Sequence, residues 1–234
     1  MFKTRSTELE RIDTGDYTQE EYETFMREIA FINKYLGDER AFKKSLLREV
    51  ESENIREFSV LDVGCGSGEL LTCIAQFARR SLRSACLVGL DLNEISVSST
   101  NKKSAEFPEI SSIRGDAFRL PFADGTFDYA VSSLFFHHLT DEQIPIVLAE
   151  MSRVARRGVF IIDLHRHRMA YILYRLFCVA FRISPLVKQD GLLSILRGFK
   201  LKELKELLTS EDYTVGAIYR VAPFRLAARC RRRQ

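Results

Sequence analysis

Twelve residues, Phe58 to Glu69 (FSVLDVGCGSGE), constrain this chain more than any other stretch. The first half is a short, largely apolar run with β-branched residues that carries Asp62, the pattern of a strand buried on both faces. Gly64, Gly66 and Gly68 follow at two-residue spacing, and Leu70, Leu71, Ile74, Ala75 and Ala78 then recur with helical period. Strand, tight glycine turn and helix follow one another. In an open α/β sheet such a turn lies at the carboxyl end of its strand, where glycines let a ligand approach bare backbone N–H groups at a helix N-terminus.

The surrounding residues narrow the ligand. A dinucleotide fingerprint, G-x-G-x-x-G, needs its third glycine at position 69, where Glu69 stands, and Asp62 adds a second carboxylate. Both repel a pyrophosphate, and no G-K-[ST] follows to make a phosphate loop. A ligand with a positive end and no phosphate fits better, and S-adenosylmethionine, with its sulfonium and ammonium groups, is one. The stretch VLDVGCGSG resembles motif I of the class I S-adenosylmethionine-dependent methyltransferases.

A second strand, Cys86 to Leu90, ends at Asp91, 23 residues beyond Gly68. An acid at that spacing can accept both ribose hydroxyls of an adenosyl group, as its counterpart does in dinucleotide folds, and Leu92 would lie against the adenine. A helix from Glu94 to Phe107 stops at Pro108, and Ser112 to Gly115 reads as a third strand, followed by Asp116 and Ala117. In the family that the chain resembles, the acid after strand three bonds the adenine amino group. The resemblance runs over residues 58 to 163 and implies a cofactor site of Asp62, Gly64, Cys65, Gly66, Gly68, Asp91, Leu92, Asp116, Ala117, Ser132 and Ser133.

Strand four, Phe127 to Ser132, delivers SSLFFHHL to the same rim, a segment similar to that of small-molecule methyltransferases including the quinone-biosynthesis methylases. The N/D-P-P-Y/F signature of enzymes that methylate exocyclic amines of nucleic-acid bases is absent. His137 and His138 stand where the methyl group must emerge, so they are the candidates for a general base. Being adjacent, their side chains are expected to diverge. No metal is expected, because the histidines lack H-E-x-x-H or H-x-x-E-H spacing. Thr140 caps the next helix, which Gly158 ends before strand five, Val159 to Leu164.

Outside this core, Thr18 and Glu21 form a capping box ahead of a helix with Tyr22, Phe25, Met26, Ile29, Ile32 and Leu36 on one face, stopped by Gly37. Asp38 can cap a second helix. The stretch Met169 to Val187 is largely apolar, with Arg168, Arg175 and Arg182 on one helical stripe, and a turn is expected at Asp190-Gly191. One expectation makes it a lid offering Tyr171, Tyr174, Phe177 and Phe181 to an acceptor, with His165 and Tyr171 as substrate contacts. The other makes it an interfacial helix in peripheral contact with a membrane. Leu201 to Leu208 supplies the last helix, and Tyr213 to Val221 with Phe224 to Cys230 a closing antiparallel hairpin.

The expected architecture is one α/β domain, a Rossmann-like seven-stranded mostly parallel sheet with an antiparallel terminal hairpin. Its parts are an N-terminal helical cap (1–57), the cofactor-binding core (58–164), a helical lid insertion (165–200) and the last helix with the hairpin (201–234). At 234 residues, 46% hydrophobic, the chain can bury a full core, and its net charge of +3 does not mark a nucleic-acid binder. Five scattered cysteines outside C-x-x-C spacing and an N-terminus without an apolar signal segment suggest a cytoplasmic protein. The resemblance implies methyl transfer from S-adenosylmethionine to a small apolar or aromatic acceptor, a phenolic or enolic oxygen or an activated carbon. The alternative is a catalytically silent methyltransferase-like binding module. A nicotinamide-dependent reductase is disfavoured by Glu69 and by the lack of a Y-x-x-x-K pair. The acceptor and the oligomeric state stay open.

Overall fold

A computed structural model describes residues 2–36, 38–209 and 213–232. Helices α1 (Arg11–Thr14), α2 (Gln19–Leu36), α3 (Asp38–Lys43) and α4 (Leu46–Ser52) precede the sheet. The core then runs β1 (Glu57–Val63), α5 (Glu69–Arg80), β2 (Ser84–Asp91), α6 (Glu94–Lys102), β3 (Ile110–Arg114), β4 (Phe127–Ser133), α7 (Gln143–Val154) and β5 (Ala155–Leu164). Next come α8 (Arg168–Ala180), α9 (Pro185–Arg197), α10 (Leu201–Leu208) and the hairpin β6 (Tyr213–Val221) and β7 (Arg225–Arg232). Among the described residues seven strands form one sheet in the order β3-β2-β1-β4-β5-β7-β6. Strands β1 to β5 are parallel, and β7 runs antiparallel to both β5 and β6.

Alternation along the strands divides the core between the two faces. Val60, Tyr129, Val131, Phe160 and Ile162 pack with α4 and α5, whereas Leu61, Ala130, Val159 and Ile161 pack with α7 and α10. Because the order of connection reverses between β1 and β4, their carboxyl ends frame a crevice, the position at which doubly wound sheets bind ligands.

Local capping accounts for several boundaries. The Glu21 N–H donates to Thr18 Oγ1 at 3.2 Å while the Thr18 N–H donates to Glu21 Oε2 at 2.8 Å, the reciprocal pair that starts α2. Gly37, expected to stop that helix, lies outside the described residues, as does the side chain of Asp38. Gly158 does not end α7. That helix stops at Val154, and Gly158 lies inside β5 just past an irregularity in its register with β4.

The expected turn at Asp190-Gly191 is also absent, since α9 continues through both residues. Asp190 turns away from solvent and accepts the backbone N–H groups of Arg11 and Ile12, each at 3.0 Å, at the start of α1. Gly191 allows α8 and α9 to approach: a Cβ there would lie 2.1 Å from the Tyr174 hydroxyl oxygen, which itself donates to the Val187 carbonyl at 2.8 Å. Glu28 of α2 fixes the connection between α8 and α9, accepting from the Ser184 hydroxyl at 2.7 Å and the Ser184 N–H at 3.0 Å. Gly191→Ala therefore overpacks the α8–α9 contact and is expected to lower stability by about 1–3 kcal/mol, read as a fall in the urea midpoint at unchanged m-value.

Candidate active site

The glycine turn sets the geometry of the crevice. Gly64, Gly66 and Gly68 have φ values of 75°, 53° and 75°, a left-handed backbone that side chains disfavour. At Gly64 and Gly68 space decides as well: an added Cβ would sit 2.7 Å from the Phe135 ring and 2.8 Å from Thr100. The Asp91 carboxylate braces the turn from the next strand, accepting the Gly66 N–H at 2.9 Å with one oxygen and the Asn93 N–H at 2.9 Å with the other. Above them opens a cavity of about 2190 Å³. That exceeds the roughly 300–1,000 Å³ usual for a single small-molecule site, so there is room for two ligands side by side.

Polar atoms without partners mark its floor. Asp62 is 1% exposed, and its Oδ1 has no hydrogen-bond partner; Ser133 Oγ is likewise buried and unpartnered. Burial, reinforced by the charges of Asp91 and Glu69, pushes the Asp62 carboxyl well above the usual carboxylate range. Asp91 is also raised by burial, against the backbone hydrogen bonds that hold it ionised. Asp62, Gly64, Cys65, Gly66, Asp91, Leu92, Asp116, Ala117 and Ser133 all line the cavity. Two of the expected contacts do not. Ser132 is buried within the sheet and its hydroxyl donates to the Val63 carbonyl at 2.8 Å, and Gly68 faces Thr100.

Helix α2 forms the opposite wall with Tyr22, Phe25, Met26, Ile29 and Phe31. The Tyr22 hydroxyl hydrogen-bonds Ser96 Oγ at 2.6 Å, tying this wall to α6. Residues 4–9 run alongside, pinned by two arginines. Arg5 donates to the carbonyls of Arg197 (2.9 Å) and Leu139 (2.9 Å), and Arg197 donates to those of His137 (2.9 Å), His138 (2.6 Å) and Glu8 (2.7 Å).

The histidines do not diverge. Residues 136–138 form a single 3-10 turn, and the two rings lie 4.2 Å apart between centroids. His137 Nδ1 is 2.8 Å from Asp163 Oδ1 and its backbone N–H donates to Asp163 Oδ2 at 3.1 Å. Burial would raise Asp163, but the charge and hydrogen bonds of His137 outweigh it and hold the carboxyl below its ordinary range. Asp163 is therefore ionised and accepts the Nδ1 proton, which turns Nε2 toward Glu10. His138 Nδ1 pairs with Asp13 Oδ1 at 2.7 Å. Burial would lower His138, but the bond to Asp13 and the nearby charge of Glu10 raise it above 6.5.

Beside both rings lies Glu10, 2% exposed, whose Oε1 is 3.8 Å from His137 Nε2 and 3.9 Å from His138 Nδ1 and has no hydrogen bond. One ligand atom from each of the three residues falls within 4.8 Å of the others, the spacing of a metal cluster that the sequence did not suggest. Arg197 already places a cation beside them, its Nε 3.7 Å from Glu10 Oε1 and its Nη1 3.3 Å from Asp13 Oδ2. Sequence reasoning missed Glu10, Asp13, Asp163 and Arg197. Only Asp163 carried a signal, as an acid inside the apolar run VFIIDL.

The two expected substrate contacts lie elsewhere. His165 lines a separate cavity with His167, Arg220 and Phe224, and Tyr171 packs edge-on against Phe2. Helix α8 does not offer Tyr171, Tyr174, Phe177 or Phe181 to the main cavity either, although Ser194 and Arg197 of α9, within the same expected insertion, do line it. Tyr174 and Cys178 of α8 pack with Val187, Ile195 and Ile32, so α2 stands between α8 and the main cavity.

The strand order 3-2-1-4-5-7-6, the glycine turn and the acids at the rim agree with what the sequence matches. Residues 60–158 match the family described as the methyltransferase domain. This stretch, under half of the chain, is similar to methyltransferase domains. The demethylmenaquinone methyltransferase of Bacillus subtilis (strain 168) is 30% identical over 138 residues, 55% of this chain and 57% of that protein. A 2-phytyl-1,4-naphtoquinone methyltransferase of Thermosynechococcus vestitus is 33% identical over 100 residues, 43% and 42% of the two chains. The chain thus spans about half the length of the curated relatives it matches. In fold, magnesium protoporphyrin IX methyltransferase from Synechocystis PCC 6803 with bound SAH superposes at a TM-score of 0.67 and 15% identity, over 96% of this chain and all of the other.

The His138–Asp13 pair ties residues 4–15, a strap across the cavity, to the segment after β4, and its pH dependence has a definite sign. A histidine raised on folding stabilises fully below about 6.5 and loses that contribution as pH rises through its folded value; Asp13, lowered on folding, loses its contribution as pH falls through its own. Hydrogen exchange of residues 5–15 is expected to accelerate above neutral pH in the wild type, beyond the intrinsic rate increase, and to lose that extra dependence in His138→Gln.

Proposed function

We propose that this chain transfers a methyl group from S-adenosylmethionine to a small apolar acceptor bearing a phenolic or enolic oxygen or an activated carbon. The observation that carries the reading is Asp62, a buried carboxylate with an unpartnered oxygen beside a second buried acid and a glycine turn. Such a floor is uncomfortable for a phosphate and suited to a cation. The ammonium and sulfonium of S-adenosylmethionine would relieve it, with Asp91 and Leu92 toward the adenosyl group, Asp116 and Ala117 beyond, and Ser133 under the amino-acid end. When bound, the cofactor supplies an electrophilic methyl carbon.

The chain's own contribution is chiefly to hold the acceptor in line, a positioning effect worth up to roughly 7–11 kcal/mol. The wall made by α2 and residues 4–9 would keep water from the reacting centre. His137 is the better placed base. Asp163 holds its Nδ1 and so leaves Nε2 as the atom that can take a proton, whereas Asp13 holds His138 toward the imidazolium. A phenol of pKa near 10 gains about 10²–10⁴-fold from such a base. The apolar lining from Phe25, Ile29, Phe31 and Phe135 supports an apolar or aromatic acceptor, and the quinone-related names of the matched proteins point the same way.

Isothermal calorimetry with S-adenosylmethionine and its demethylated product tests the first half: Asp91→Ala is expected to weaken binding by about 1.5–3 kcal/mol, and binding of NAD in place of either ligand would overturn the reading. For the second half, His137→Gln is expected to lower kcat with cofactor affinity unchanged, and His138→Gln to retain most of the turnover. Full turnover of His137→Gln from pH 6 to 9 would remove the base from the mechanism.

A further inference from the structure

Helix α8 presents an unpartnered face that the core does not use. At 100° per residue, Val179, Ile172, Leu176, Met169, Ala180 and Leu173 occupy a continuous sector of about 120°. All six are exposed, the larger ones from 46% at Met169 to 63% at Val179. No polar or charged side chain interrupts the sector. Arg168 and Arg175 lie along one edge of it, with Arg182 just beyond the helix end, all three exposed. Among the described residues none of the three has an acidic partner within ion-pair distance, and the chain has no acid between Asp163 and Asp190.

We infer that α8 seats this protein on an anionic lipid bilayer, with the apolar sector in the acyl boundary and the arginines at the headgroups. Two features choose that occupant over a protein partner or a second copy. The charge beside the apolar sector is of one sign, matching a uniformly negative surface, and a basic edge on a large exposed apolar face is the composition of helices that lie in the interface plane. A symmetric second copy would bring the same arginine edge toward its own image. The helix is only 13 residues long, and no helix among the described residues is long and apolar enough to cross a membrane, so the contact is peripheral.

The edge of this face opposite the arginines adjoins the wall of the cavity. Phe31 of α2 lines the main cavity, and its ring lies 6.1 Å from that of Phe177 and 5.6 Å from that of Phe181 at the end of α8. Phe177 follows Leu173, the last residue of the sector, by one turn, so apolar side chains adjoin from the sector's edge to Phe31. Resting on the methyl-transfer reading, this narrows the acceptor to a molecule with a lipid-like tail that enters past Phe31 without leaving the membrane.

The test is flotation of the full chain with phosphatidylcholine vesicles, with and without phosphatidylglycerol, while cofactor binding is followed by calorimetry on the same preparations. Binding is expected only where phosphatidylglycerol is present, and it should fall with added salt. Arg168→Gln and Arg175→Gln should each weaken it roughly fivefold, the equivalent of ~1 kcal/mol per basic residue. Leu173→Glu with Leu176→Glu should abolish it, and retained cofactor binding would show that this exposed double variant is folded. No flotation, flotation equal on both vesicles, or self-association through Leu176 in place of lipid binding would each overturn the assignment. Vesicle binding without any S-adenosylmethionine binding would leave the surface standing and remove the enzyme reading.

Discussion

A carboxylate held out of water beside a second carboxylate is unstable unless something positive meets it, and Asp62 and Asp91 stand in that relation at the heart of this fold. Neither can move away. Asp62 is an interior residue of β1, paired with β2 and β4, and Asp91 is committed to the N–H groups of Gly66 and Asn93. The turn keeps its shape because Asp91 braces it, and it stays open because glycine leaves the backbone uncovered. The sheet thus builds an acidic pocket whose electrostatic cost a cationic ligand would offset, and the helices of the wall lie across from it.

The second half of the crevice uses charge differently. Arg197 and Arg5 satisfy backbone carbonyls of the segment after β4, while Asp163 and Asp13 each take one histidine. Two adjacent residues of one type thereby acquire different surroundings: His137 is held by Asp163 through Nδ1 within the buried floor, and His138 is drawn toward its charged form by Asp13. The difference comes from the partner carboxylates and the positions they hold, not from the imidazoles themselves.

How much of this the sequence disclosed follows the range of the contacts. The β1 strand, the glycine turn, Asp91 and Asp116 are legible because one helix and one strand fix their spacing, and the last helix has the expected bounds, Leu201–Leu208. The strap and its partners are not legible, because Arg5, Glu10 and Asp13 meet residues more than 120 positions away with no repeating pattern to join them. His165 and Tyr171 were misplaced by taking nearness in the chain for nearness in space. They follow β5 directly, but α8 leads away behind α2. Adjacent histidines were expected to diverge as on extended backbone, and the 3-10 turn at 136–138 brings their rings together.

The strap has a consequence for the order in which the molecule is made. Its anchors reach from Arg5 to Arg197 and from Arg11 to Asp190, so residues 5–15 wait for α9 to be synthesised before they can dock. At ribosomal rates of 5–20 residues per second that interval is roughly 10–40 s. Strands β1 to β5 emerge within it and can pair without the strap. A nascent chain halted before α9 would therefore hold a formed glycine turn and a crevice without Ser194 and Arg197, with Phe25 and Ile29 of α2 lacking part of the surface that covers them in the finished protein.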